Sequence, residues 1–114
     1  MGVALWYRTG SGRSPVKECI DELPVPDQAK VHAHIRILEE YGHRLGMPHV
    51  ERIEGRLEQL RIPVSAGRYR ILFFFRSGDD FVLLHGFLKK TPKTPRKEID
   101  TATERMNALL QLWR

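Results

Sequence analysis

Cysteine is nearly absent. The chain of 114 residues has one, Cys19, which excludes a disulfide framework within it and fits a reducing compartment such as the cytosol. No apolar run approaches the roughly 18 residues of a membrane span. Met1 to Arg13 contains no apolar core segment, so no secretory signal is expected there. No H-E-x-x-H, C-x-x-C or Gly-rich phosphate loop occurs. The histidines, His32, His34, His43, His49 and His85, do not cluster with Cys or carboxylates at ligand spacing, so neither a metal nor another cofactor is expected. Cys19 has no neighbouring His and reads as a packing residue.

Cations are present in excess. Nineteen Lys and Arg against fourteen Asp and Glu leave a net charge of +5. Residues 1–50 carry six of each sign, whereas residues 61–97 carry nine basic and two acidic side chains. A basic block inside a folded region is either a solvated surface or the footprint of a polyanionic partner, most often nucleic acid.

The length points to one domain, residues 1–114. Val3 to Arg8 reads as a short strand ended by Gly10-Ser11-Gly12. Ser14-Pro15 opens a helix with Val16, Ile20 and Leu23 on one face, stopped by Pro24. Pro26-Asp27 opens a second, with the stripe Val31, Ile35, Leu38 and an end at Gly42. Residues 43–55 read as loop. Residues 56–62, 68–76 and 81–88 read as strands, joined by turns at 63–67 and 77–80. Thr94-Pro95 caps a last helix with the seam Ile99, Ala102, Met106, Leu109, Trp113. The order β-α-α-β-β-β-α predicts an α+β domain, an antiparallel sheet with helices packed on one face.

Strand pairing converts the charge count into a place. If partners on 56–62 and 68–76 sum to an odd number, Arg61 lies beside Arg68 or Arg70, with Gln59 on the same face. The turn at 77–80 sets residues 68–70 beside 86–90, so Arg68, Arg70, Lys89 and Lys90 meet at one end of the sheet. A fold optimised for stability avoids such repulsion, while a polyanion site requires it. Lysine among like charges also acquires a lowered pKa suited to proton transfer.

Gly67-Arg68-Tyr69-Arg70-Ile71-Leu72-Phe73-Phe74-Phe75, Leu84-His85-Gly86-Phe87-Leu88-Lys89-Lys90-Thr91-Pro92-Lys93-Thr94-Pro95 and Glu98-Ile99-x-x-Ala102 resemble the RelE/ParE toxin superfamily, most closely its phage-derived HigB-like subfamily of type II toxin–antitoxin systems. The resemblance implies a RelE-like α+β fold, cytoplasmic location and a ribosome-dependent mRNA endonuclease that uses the RNA's own 2′-OH as nucleophile. It implies the ribosome, mRNA and an antitoxin with a helix-turn-helix domain as partners, and no cofactor. Residue by residue it implies Arg70 as the phosphate-stabilising arginine, with Arg68 and Lys90 completing a catalytic set. Arg61, Lys89, Lys93, Arg96 and Lys97 are then RNA contacts. No Tyr or His follows His85, in contrast to family members that place one near the C-terminus. The acid and base roles therefore fall among Lys90, Lys89, His85 and Glu58, with His85 reading as a satisfied core histidine. Two other readings stand beside this one: a ParE-like inhibitor of DNA gyrase and a non-catalytic RNA-binding module.

Overall fold

A computed structural model describes residues 1–113. The chain runs β1 (Ala4–Trp6), α1 (Pro15–Asp21), α2 (Val25–Tyr41), a 3-10 turn (Gly42–Arg44), β2 (Val50–Glu54), β3 (Leu57–Val64), β4 (Gly67–Ser77), β5 (Asp80–Lys89) and α3 (Arg96–Leu112). The strands form one sheet in the order β1-β5-β4-β3-β2, antiparallel except for the β1–β5 pair. This is the expected α+β class, with one strand more than the sequence reading.

The added strand is β2, in the segment read as loop. Its apolar residues, Val50 and Ile53, are three apart because a register shift between Arg52 and Glu54 breaks the alternation. Val50 therefore joins one core and Ile53 the other. Gly55 turns the chain into β3 at φ 54°, a conformation that favours glycine. Three charged residues among five suit β2 to the sheet edge, where they oppose pairing with another chain.

The helices are not all on one face, as the sequence reading had them. Tyr69, Ile71 and Phe73 of β4 bury against Val16 and Ile20 of α1 and Val31, Ile35 and Leu38 of α2. Leu72 and Phe74 point the other way and pack with Ile99, Ala102 and Met106 of α3. Leu72, Phe73 and Phe74 have no solvent exposure, so β4 is covered on both faces. A sheet with two apolar faces needs a layer on each side, and the α3 seam supplies the second. Burying one such side chain contributes about 1.5–3 kcal/mol.

A bulge in β5 sets the other face assignment. Leu72 pairs with His85 and Phe73 with Leu83, leaving Leu84 without a partner residue on β4. Regular alternation would put Phe81, Leu83, His85 and Phe87 on one face, and the bulge divides them. Phe81 and Leu83 enter the α1/α2 core, while Leu84 and Phe87 enter the α3 core. His85 stacks on Phe87, with ring centroids 5.8 Å apart.

Candidate nucleic-acid interface

The site lies on the α3 side of the sheet, where β4 begins and β3 and β5 end. Arg61 stands across from Arg70, and Arg68 across from Lys89. This is the register that brings the cations together, since a slip of one residue would turn Arg61 to the α1/α2 side. Arg70 is 1% exposed, on the middle strand of five. Its Nε has no hydrogen-bond partner. Among the described residues, Arg61, Arg68, Arg70, Lys89 and Lys90 make no salt bridge.

Burial lowers the Arg70 pKa from its usual range, and repulsion from Arg61 and Arg68 lowers it further. Burial likewise lowers the Lys89 pKa, with Arg70 the next cause. Glu51 of β2 opposes both shifts. The fully buried amide of Gln59 bridges toward this carboxylate, donating from Nε2 to Glu51 Oε1 at 3.4 Å. Gln59 Oε1 accepts the Thr94 hydroxyl at 2.8 Å. Thr94 thus orders the buried amide rather than capping α3, whose N-cap is Pro95.

Two grooves meet at Arg61, Arg68 and Arg70. One, of about 480 Å³, continues along Gly67, Lys89, Lys90, Thr91 and Pro92. The other, of about 320 Å³, continues along His34, Pro48, His49, Ile62 and Pro63. A smaller pocket of about 270 Å³ carries the cationic surface from Lys89 and Lys90 to Lys97.

The structure therefore gathers Arg61, Arg68, Arg70, Lys89 and Lys90, with Lys97 adjoining. Lys93 is exposed on the connector and lines none of these grooves. Arg96 is held elsewhere. Its guanidinium donates to both Glu54 oxygens at 2.7 and 2.9 Å and to Asp100 at 2.9 Å, strapping the start of α3 to the end of β2. These carboxylates raise its pKa further.

Two of the proton-transfer candidates stand away from the cluster. Glu58 pairs with Phe73 and faces the α1/α2 side, where burial raises its pKa. His85 Nε2 lies 3.0 Å from Glu98, and its Nδ1 lies 3.4 Å from Arg105 Nη1. Arginine only donates, so Nδ1 accepts and Nε2–H donates to Glu98. Both ring nitrogens are engaged, as the satisfied-histidine reading expects.

Glu51 is the site residue that sequence reasoning missed. Its strand was hidden by the broken alternation, although Gly55 two residues after Ile53 marks a hairpin turn. Among the described residues, no group of three or more His, Cys, Asp or Glu side chains gathers as a metal site. Among the described residues, no helix is long and apolar enough to cross a membrane.

Residues 18–107 match the family described as Phage derived protein Gp49-like (DUF891). The chain is 35% identical over 107 residues to a protein named "Probable endoribonuclease HigB1" from Mycobacterium tuberculosis strain CDC 1551 / Oshkosh, a span covering 92% of this chain and 82% of that one. The HigB1 protein of strain H37Rv matches with the same identity and coverage. These matches bear out the HigB-like resemblance carried by residues 67–98. With its cationic sheet end and most of its length matched, the chain belongs to the phage-derived Gp49-like protein family.

Proposed function

We propose that this protein is the toxin of a type II toxin–antitoxin pair, an endoribonuclease that cuts mRNA on the ribosome and so arrests translation. The observation that carries the reading is Arg70, a buried guanidinium surrounded by other cations with no carboxylate bonded to it. Desolvating a charge without pairing it costs several kcal/mol. A phosphate placed between Arg70, Arg61 and Arg68 offsets that cost with charge-assisted hydrogen bonds. The name of the relatives, an endoribonuclease, gives the same reaction class.

In this mechanism the 2′-oxygen attacks the adjacent phosphorus and the P–O5′ bond breaks. Charge developing on the non-bridging oxygens is met by Arg70, with Arg68 and Arg61 beside it. Glu51, a carboxylate whose charge acts on both Arg70 and Lys89, takes the 2′-OH proton. Lys89, whose proton affinity is already reduced, delivers a proton to the leaving 5′-oxygen. Lys90 holds the phosphate from the mouth of the groove, and Lys93 and Lys97 attract flanking RNA. Arg96, bound to Glu54 and Asp100, keeps α3 in place beside the site. The single domain operates in the cytoplasm, and a cognate antitoxin, expected to bind DNA through a helix-turn-helix, covers the cationic end until the toxin is needed.

Induced expression tests the reading. Wild-type protein is expected to arrest growth and leave mRNA cut within translated codons, with chromosome supercoiling unchanged. Arg70→Ala, confirmed folded by circular dichroism, is expected to do neither. A folded Arg70→Ala protein of full toxicity contradicts the site, and supercoiling defects without cut mRNA point to gyrase instead.

A further inference from the structure

The arginine cluster is a wall between two grooves of different chemistry. On one side lie Lys89 and Lys90, suited to phosphate. On the other lie the rings of His34 and His49 with Pro48, Ile62 and Pro63, a surface of planar and apolar groups with no lysine. The second groove exists because β2 ceases to pair at Val50–Leu60, leaving the edge of β3 without a partner strand beyond Arg61. The loop before β2 closes it. The His49 carbonyl accepts the Arg61 N–H at 2.8 Å and the His49 N–H donates to Gly46 at 3.0 Å, fixing that residue against the edge.

The two histidine rings are neighbours in this groove, tilted by 55° with 6.1 Å between centroids. His34 Nδ1 is 2.9 Å from the Lys30 carbonyl. A carbonyl can only accept, so Nδ1 carries the hydrogen and Nε2 of the neutral ring is an acceptor.

We propose that this groove is a nucleobase subsite, which receives an unstacked base of the RNA whose phosphate lies against Arg70. The proposal rests on the RNA-cutting reading above and deepens it. Bases of single-stranded RNA are held by stacking on aromatic rings, histidine included, and on guanidinium planes. Both are present here, the rings in the groove and the guanidiniums in its wall. The His34 Nε2 acceptor is matched by the N–H groups on a base edge. Sharing Arg61, Arg68 and Arg70 between the grooves puts base and phosphate one side chain apart, as in a single nucleotide. His34 and His49 are thereby assigned to sequence preference at the cut.

The test is a titration of the folded full chain, followed by NMR through the histidine ring C–H and arginine Nε–H signals, with adenosine 5′-monophosphate and ribose 5-phosphate compared. Both ligands are expected to move the arginine signals, and only the nucleotide to move the His34 and His49 rings. His34→Ala/His49→Ala is expected to weaken nucleotide binding about tenfold, within the range of one base–ring stack, and to leave ribose 5-phosphate binding unchanged. On ribosome-bound mRNA the same double variant is expected to cut with a flatter sequence preference. If both ligands bind equally and leave the rings unmoved, the base subsite is wrong and the phosphate site stands. If neither binds, the phosphate site fails and the subsite fails with it.

Discussion

Two regions of this molecule use the same residue types to opposite ends. Around α1, every cation that approaches an acid is paired: Arg13 with Glu18, and Lys17 with Asp21 at i,i+4. At the start of α3, Arg96 is gripped by Glu54 and Asp100. At the sheet end, Arg61, Arg68, Arg70 and Lys89 crowd together without such partners, and the most buried of them, Arg70, sits on the middle strand. Paired, exposed cations contribute little beyond local order. Unpaired, buried ones are a cost to the free protein that a polyanion removes on binding. Charge count does not distinguish the regions, but pairing and burial do.

The largest effect is expected from Arg70. Arg70→Ala should reduce mRNA cleavage by at least about a hundredfold, the loss seen when one donor to a developing oxyanion is removed. Glu51→Gln keeps the Gln59 contact in shape but removes the base. It should lower the cleavage rate by roughly a hundredfold and leave binding of uncut RNA nearly unchanged. A Glu51→Gln protein that cuts at the wild-type rate moves the base role elsewhere.

A smaller effect concerns pH. The folded state lowers the Lys89 pKa, so between its folded and unfolded values the unfolded chain binds more protons. Stability should therefore rise as pH climbs through that interval, and be lowest below it, where Lys89 is charged in both states. Lys89→Met should flatten the rise in denaturation curves measured across alkaline pH. Least affected should be variants of the paired and peripheral cations. Lys97→Ala should reduce the slope of RNA affinity against salt by about one, without loss of the cut. Arg96→Ala should leave that slope as it is, because its charge is already neutralised. Equal salt effects from the two would erase the contrast between the regions.

Most of this architecture was legible from residues alone, for identifiable reasons. The β3–β4–β5 hairpins were visible because Tyr69, Ile71, Phe73 and Phe75 alternate cleanly with Arg68, Arg70, Leu72 and Phe74. Once the turns were placed, the meeting of Arg68, Arg70, Lys89 and Lys90 followed from antiparallel geometry. What escaped depended on irregularities that break the period. The shift in β2 hid Glu51, and the bulge at Leu84 moved His85 to the other face. The two-sided burial of β4 escaped for a different reason. The apolar middle of its basic face, Leu72 and Phe74, shows that the face is covered but not by which helix. The pairing of Arg96 with Glu54 joins residues 42 apart and needs β2 in place before it can be seen.

The central claim, that Arg70 is held buried and uncompensated for a phosphate, is most directly tested by denaturant unfolding of wild type and Arg70→Met at low salt. Each protein is measured with and without a short single-stranded RNA in which every 2′-OH is blocked against cleavage. The account predicts that Arg70→Met alone is at least as stable as wild type, since a desolvated charge is replaced by an apolar side chain, and that RNA raises the midpoint of wild type far more than that of the variant. An Arg70→Met protein that is markedly less stable, or equal stabilisation of both by RNA, would contradict it.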